Sequence, residues 1–103
     1  APKDIIIEDL KITVRKLTKE DIKTRKLPNQ TSGLVVTKIG NTSPLQNSIE
    51  VNSIIIEAQK TRIKNANDLR KIVKEVLKSN QKTILLAIYN NQNQRRYIGV
   101  KLN

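Results

Sequence analysis

Residues 52–80 decide the fold class, and their sequence is NSIIIEAQKTRIKNANDLRKIVKEVLKSN. The second half predicts an amphipathic helix, because its apolar residues recur at positions i, i+3, i+4, i+7 and i+8. These residues are Leu69, Ile72, Val73, Val76 and Leu77. Asn65 can cap this helix, and Asp68 lies in the first turn, where a carboxylate meets the positive end of the helix dipole. Before the helix, NSIIIEA predicts a strand buried on both faces, and QKTRI predicts a turn with a short edge strand.

The residues before this stretch predict two further strands and a short helix. An alternation of apolar and polar residues is typical of a half-buried strand. The apolar members of that strand are Leu10, Ile12 and Val14. Thr18, followed three residues later by Asp21, forms a capping-box pattern, which predicts a short helix that ends before Pro28. Residues 33–39, GLVVTKI, are rich in β-branched side chains and predict the next strand.

Two further predictions complete the fold. GNTSP is a turn, and Pro44 suits the first turn of a second short helix over roughly residues 44–48. KTILLAIY and RRYIGVKL, residues 82–89 and 95–102, predict an antiparallel hairpin with a polar turn. The predicted class is therefore α+β: a partly open β-barrel or sandwich of five to six short strands with one long and one or two short helices.

The composition limits the core and the chemistry. The chain has 103 residues, enough for one domain, and contains no Phe, Trp or Met, so Ile, Leu and Val must form the core. It also contains no Cys and no His, which excludes thiol and imidazole chemistry and most zinc and iron sites. We expect neither a metal nor a cofactor.

The charge is strongly positive, with 20 Lys and Arg against 9 Asp and Glu, a net charge of +11. Such a charge favours acidic partners. The basic residues are spread along the chain and the two tyrosines form no stacking platform, so we expect no specific nucleic-acid binding. A basic surface that binds polyanions or anionic lipid, with a steep dependence on salt, stays an alternative. No segment approaches the roughly 20 apolar residues of a transmembrane span, and the start does not resemble a signal peptide.

No catalytic group is predicted within the chain. Ser–His and Cys–His pairs are excluded, although a Ser–Lys pair is not. Glu8 and Asp9 would face opposite ways on a strand, and Glu20 and Asp21 would occupy the first turn of the short helix. Three scattered glycines cannot form a phosphate loop. We therefore expect a domain that binds a partner and has no catalytic residues.

Four motifs, in order, carry a family resemblance. They are DLKITVRKLTKEDIKTRKL at 9–27, GLVVTKIGNTSPL at 33–45, IEVNSIIIEAQKTRIKNANDLRKIV at 49–73 and ILLAIYNNQNQRRYIGVKL at 84–102. Together they resemble a PDZ domain of bacterial type, most like the second PDZ domain of the Do/HtrA family of periplasmic serine proteases. The resemblance covers about residues 10–102. It implies a periplasmic location and a parent serine protease whose catalytic part lies outside this chain.

The resemblance also implies a binding mode. PDZ domains bind an extended peptide as an extra strand beside a groove strand, with its last side chain in an apolar pocket. The implied peptide-binding residues are Leu10, Lys11, Ile12, Thr13 and Val14 on the strand, and Leu69, Ile72 and Val76 on the opposite helix. The implied partners are unfolded or C-terminal peptide segments and other domains or subunits of the parent protease.

The departures from the family's pattern include Lys11, Asn52 and Ser53. Lys11 lies near the place where the family has a glycine in its carboxylate-binding loop. Its side chain either obstructs that loop, contacts the carboxylate through its ammonium group, or points into solvent. Asn52 and Ser53 replace Gly-Asp, and Asn is the residue that best tolerates a left-handed backbone after glycine.

The start of the chain bears on both functional alternatives. APKD resembles the cut edge of a longer chain, so we expect a linker over residues 1–8 and the PDZ domain over residues 9–103. Ile5–Ile7 is predicted to be either a strand or an apolar linker. Peptide binding requires a free main-chain edge over residues 10–14. The alternative is a structural PDZ domain for inter-domain or subunit assembly, with a groove that is empty or filled by Ile5–Ile7.

Overall fold

The computed structural model describes residues 2–102, which form seven strands and two helices. The strands are β1 (Ile5–Ile7), β2 (Ile12–Lys16), β3 (Leu34–Ile39), β4 (Ile54–Ala58), β5 (Thr61–Arg62), β6 (Thr83–Tyr89) and β7 (Arg95–Lys101). The helices are α1 (Lys19–Thr24) and α2 (Ala66–Lys78). The sheet therefore begins within the range 1–8 that the sequence assigned to a linker.

Every strand pair in the sheet is antiparallel. The strand order is β1-β2-β3-β4-β6-β7, and the two-residue β5 pairs beside β4. The sheet does not close into a barrel, because β1 and β7 each pair on one side only within the described range. The α+β class with a PDZ-like, open sheet is confirmed, with one strand more than the five to six predicted.

The second short helix predicted over residues 44–48 is wrong. The amides of Gln46 and Ser48 donate to carbonyls three residues back, at 3.1 and 2.9 Å. This spacing is that of consecutive turns, and a single bond of α-helical spacing follows, from the Ile49 amide to the Leu45 carbonyl at 3.1 Å. Leu45 is fully buried and anchors the segment to the core. The chain then turns again before β4, where the Ser53 amide donates to the Glu50 carbonyl at 3.1 Å.

Alternating side chains of the sheet form two apolar clusters. Val36 and Ile55 belong to the larger cluster, whereas their neighbours Val35 and Ile54 belong to the smaller one. Since successive strand residues face opposite sides, the clusters lie on opposite faces of the sheet. The larger cluster includes the buried residues of α2, which are Ala66, Leu69, Val73 and Val76. The smaller cluster packs against Ile22 of α1 and contains Leu17, Leu27, Val35, Ile54, Ile56 and Ala87.

The predicted caps of both helices are confirmed. At α1 the Asp21 amide donates to the Thr18 hydroxyl at 3.0 Å, and the Thr18 amide donates to the Asp21 carboxylate at 2.8 Å. Arg15 of β2 adds two bonds to the same carboxylate, at 2.7 and 3.0 Å. At α2 the Asn65 side chain accepts the Asp68 amide at 2.9 Å. The Arg15–Asp21 pair therefore fixes the start of α1 to the sheet.

The same pair shifts the titration of the carboxyl group. The Arg15 hydrogen bond, assisted by the Thr18 bonds, holds the pKa of Asp21 well below its ordinary value, against a smaller opposing effect of burial. A lowered folded-state pKa stabilises the fold above the unfolded-state pKa of about 3.9, and this stability is lost as the pH falls below that value.

We predict that Asp21→Asn lowers the free energy of unfolding at pH 7 by about 1–3 kcal/mol, because it removes a cap and charge-assisted bonds. The variant should also lose much of the decline in stability between about pH 5 and pH 2. Urea unfolding across this pH range measures both effects. Glu20→Gln is the control, since Glu20 is exposed in the same turn. Equal effects of the two substitutions would contradict the role of Asp21.

Candidate peptide groove

Strand β2, the predicted groove strand, is paired on both sides. It pairs with β3 on one side and with β1 on the other. The β1 register matches Ile5 with Val14, Ile6 with Thr13 and Ile7 with Ile12. The expectation of a free main-chain edge over residues 10–14 is therefore wrong, because the chain's own N-terminal strand occupies that edge.

Strand β1 also fills the space between β2 and α2. Helix α2 contacts both β1 and β2. The Ile7 side chain is 1% exposed and belongs to the same cluster as Leu69 and Val76. Ile5 packs against this cluster and is half-buried, whereas Ile6 is 60% exposed. The alternation is that of a strand with one face on the core, and the apolar space under α2 is occupied by Ile5 and Ile7.

The turn that joins β1 to β2 uses its own amides. The Leu10 amide donates to the Ile7 carbonyl and the Lys11 amide donates to the Glu8 carbonyl, both at 3.2 Å. These amides lie in the segment that the family resemblance assigns to carboxylate binding. In this conformation they already have acceptors within the chain.

Lys11 adopts a left-handed backbone, with a φ of 54°. A glycine takes this conformation without strain, which accounts for the glycine that the resembled family has near this place. Its side chain is exposed, and its ammonium group donates to the Thr42 hydroxyl at 3.1 Å. Of the three alternatives for Lys11, a contact with a bound carboxylate stays a prediction. The Lys11 side chain lies at the surface and is not part of the buried apolar cluster.

The turn is held in place by the segment after β3. The Gly40 amide donates to the Lys11 carbonyl at 2.8 Å, and a Cβ at Gly40 would lie 2.9 Å from that oxygen. Only glycine allows this close approach without displacement. The buried Ser43 hydroxyl donates to the Leu10 carbonyl at 2.6 Å and accepts the Leu45 amide at 3.0 Å. Ser43 therefore ties the turn to the core.

Two basic residues of α2 hold β1 from its outer side. The Arg70 guanidinium donates to the Ile6 carbonyl at 2.7 Å and lies 3.7 Å from the Glu8 carboxylate. Lys74, one turn further along, pairs with Asp9 at 3.2 Å. We call Arg70, Lys74, Glu8 and Asp9 the charged clamp. Because one partner of each pair, Glu8 or Lys74, is largely exposed and the other is partly exposed, each ion pair contributes at most about 1 kcal/mol and weakens with salt.

The eight predicted peptide-binding residues have different positions in the structure. The residues fully or nearly fully buried in the larger cluster are Leu10, Ile12, Val14, Leu69 and Val76. Thr13 is half-buried on β2 and Lys11 is exposed. Ile72 is half-buried and lines a separate groove between α2 and β5, which also contains Arg62, Lys64 and Lys71. Ile12 and Val14 of β2 thus pack in one cluster with Leu69 and Val76 of α2. Their role in binding a peptide stays a prediction.

Sequence analysis offered Ile5–Ile7 as one filling of the groove, and the pairing of β1 with β2 agrees with that alternative. It missed the basic residues of α2 that close the groove. Ile5 and Ile7 belong to a run of three isoleucines, which has no alternation that would distinguish a strand from a linker. Arg70 and Lys74 lie among the basic residues spread along the chain, and their sequence pattern assigned them no role. One signal was present: the adjacent acids Glu8 and Asp9 lie beside the isoleucine run, and basic residues four apart on one helix face match them.

The part of the chain that the structure describes has neither a metal-binding cluster nor a membrane-spanning helix. Residues 2–102 hold no group of three or more Asp, Glu, His or Cys side chains that could bind a metal ion. Within the same range, neither helix has the length and apolar character required to cross a membrane.

Comparison with known proteins gives one kind of match. No protein-family model and no curated protein matches the chain. Among solved structures, the chain is similar to one described as the HtrA-type protease AlgW with decapeptide, with a TM-score of 0.63 and 18% sequence identity. The match covers 97% of this chain and 29% of the solved chain. At this identity the match shows a shared fold, and the chain spans less than a third of that protease chain.

We predict that Ile7→Ala lowers the free energy of unfolding by roughly 2 kcal/mol, because it leaves a cavity between β2 and α2. Ile6→Ala is the matched control, since Ile6 has the same side chain on the same strand but is 60% exposed. It should change the free energy of unfolding by less than about 0.5 kcal/mol. Urea unfolding measures both values, and similar losses for the two variants would show that β1 is not packed against the core.

We predict that Arg70→Gln with Lys74→Gln loosens β1 without unfolding the domain. Amide hydrogen exchange at Ile12 and Val14, which face Ile7 and Ile5 of β1, should become about tenfold faster, since two weak ion pairs and a bond to the Ile6 carbonyl are lost. The control is Lys71→Gln with Lys78→Gln, which removes the same charge from exposed positions of α2. Exchange that is unchanged in the first double variant, or equally fast in both, would contradict the clamp.

Proposed function

We propose that this chain is a PDZ-like accessory module of an HtrA-type serine protease, and that it serves in assembly with neighbouring domains or subunits. The observation that carries this proposal is the pairing of β1 with β2 beneath α2. A groove that is filled from within the chain has no free edge for a guest strand. The parent protease, its catalytic part and its periplasmic location belong to the same proposal.

Hydrogen bonding in the groove supports an assembly role. The Leu10 and Lys11 amides donate to carbonyls of the chain itself. An incoming carboxylate would have to replace both acceptors, and an incoming strand would have to replace the β1 backbone. The fold of a segment of an HtrA-type protease, shared at a TM-score of 0.63, supports the link to this class of enzyme.

Peptide capture by exchange is the second candidate. It is favoured by the shortness of β1, which has only three residues, and by the exposure of the charged clamp. A peptide would then bind only to the fraction of molecules in which β1 has left the groove. If that fraction is about 1%, the apparent affinity falls about 100-fold below the intrinsic affinity.

A titration separates the two candidates. The probes are peptides with a free C-terminal carboxylate and an apolar last residue, added to the ¹⁵N-labelled chain. We predict that the intact chain shows no saturable chemical shift changes over residues 10–14 and α2 at micromolar peptide. Saturation in the micromolar range would contradict the assembly proposal.

The Ile7→Asp variant supplies a form in which β1 has left the groove, because burying the Asp carboxylate under α2 is costly. The same titration is carried out on this variant. Ile6→Asp is the control, since it puts the same charge at the exposed position of β1. Binding only to Ile7→Asp would show a groove that is competent but filled. If no variant binds any peptide while all give folded spectra, exchange is excluded and the assembly role is supported.

Cross-linking of the intact parent protein tests the assembly role itself. We expect cross-links from lysines of this module to another domain or subunit. A module free of all such contacts in the assembled protein would contradict the proposal.

A further inference from the structure

A second surface feature lies on the opposite face of the sheet from α2. It is a cavity of about 500 Å³ beside α1, and we call it the basic pocket. Its lining residues are Lys19, Ile22, Lys23, Lys26, Leu27 and Asn29. Lys19, Ile22 and Lys23 have the spacing i, i+3 and i+4 and share one face of α1. Lys26 lies in the turn after the helix and lines the same cavity.

The floor of the basic pocket is apolar and firmly attached. Leu27 is 7% exposed and lies in the smaller cluster, against which the half-buried Ile22 packs. The Leu27 amide donates to the Ile22 carbonyl at 2.9 Å, which fixes the two residues relative to each other. The pocket is therefore a fixed part of the fold, with apolar side chains at its base.

The rim of the basic pocket carries positive charge that no acidic side chain pairs with in the described part of the chain. Its lysines, Lys19, Lys23 and Lys26, are exposed, and no ion pair within residues 2–102 includes them. The nearest acids in sequence are Glu20 and Asp21, and both line a different cavity with Arg15. Helix α1 thus separates its acidic residues from its lysines.

We propose that the basic pocket docks an acidic segment of a partner protein, in which an apolar side chain is flanked by Asp or Glu. The apolar side chain would contact Ile22 and Leu27, and the carboxylates would pair with the three rim lysines. The positive rim favours a partner segment with negative charge. The apolar floor favours a segment that also carries an apolar side chain, which a purely polyanionic ligand lacks. This inference does not depend on the state of β1.

Two other classes of partner fit less well. Nucleic acid without sequence preference requires aromatic side chains on which bases stack, and the lining contains none. Binding to a membrane surface uses apolar side chains that protrude into the lipid. Here Ile22 and Leu27 are recessed rather than exposed.

The test is a titration of the ¹⁵N-labelled chain with three blocked peptides, of sequence EDLLDEE, EDSSDEE and KKLLKKK. We predict saturable chemical shift changes confined to residues 19–29 for EDLLDEE, at least fivefold weaker binding for EDSSDEE, and none for KKLLKKK. The triple variant Lys19→Gln, Lys23→Gln, Lys26→Gln should weaken EDLLDEE binding roughly tenfold through the loss of three surface ion pairs.

The matched control replaces Lys38, Lys78 and Lys101 by Gln, which removes the same charge from exposed positions elsewhere. Binding that falls equally in both triple variants would show a response to net charge alone and would overturn the proposal. Equal affinity for EDLLDEE and EDSSDEE would also overturn it. So would binding at residues 19–29 to vesicles of mixed phosphatidylglycerol and phosphatidylcholine when neither acidic peptide binds.

Discussion

The pairing of β1 with β2 is the constraint on which the rest of the structure depends. It places Ile7 under α2, uses the amides of the connecting turn and directs the Ile6 carbonyl to Arg70. Because residues 8–11 tether β1 to β2, the strand competes for the groove at an effective concentration in the millimolar range or above. A three-residue strand with modest contacts can therefore hold a site that a free peptide of the same sequence would occupy only weakly.

The connecting turn shows how the chain forms tight corners with few glycines. Seven residues other than glycine have left-handed backbones, among them Lys11 and Asn52, whereas no described glycine does. Each such residue costs roughly 1–2 kcal/mol, so surrounding bonds must hold it in place. The Lys11 carbonyl accepts the Gly40 amide, and the Asn52 amide donates to the Val36 carbonyl, both at 2.8 Å. At the same corner the Ser53 hydroxyl accepts the Glu50 amide at 3.3 Å. Gly40 has no left-handed backbone and is required for another reason, since a Cβ there would lie 2.9 Å from the Lys11 carbonyl oxygen.

Local patterns were sufficient to predict the elements that local interactions stabilise. The spacing of Leu69, Val73 and Val76 identified α2 and its buried face, and the Thr18–Asp21 pattern identified the capped start of α1. The helix over residues 44–48 failed because Pro44 is equally suited to a turn. For β1 the sequence left a strand and a linker open, because its partners are set by tertiary pairing and three isoleucines have no period that distinguishes the two. A groove filled by Ile5–Ile7 was one of the alternatives, and the structure has that arrangement.

The central claim is that β1 occupies the groove of its own domain in solution. The Ile6 carbonyl accepts from Arg70, on the side away from β2, so Ile6 and Thr13 form a non-hydrogen-bonded pair whose Cα atoms should lie about 4.5 Å apart. A nuclear Overhauser effect between the Hα protons of Ile6 and Thr13 measures this directly. The account predicts a strong cross-peak, together with extended-strand chemical shifts at residues 5–7. An absent cross-peak with random-coil shifts at these residues would contradict it and would leave the β2 edge free.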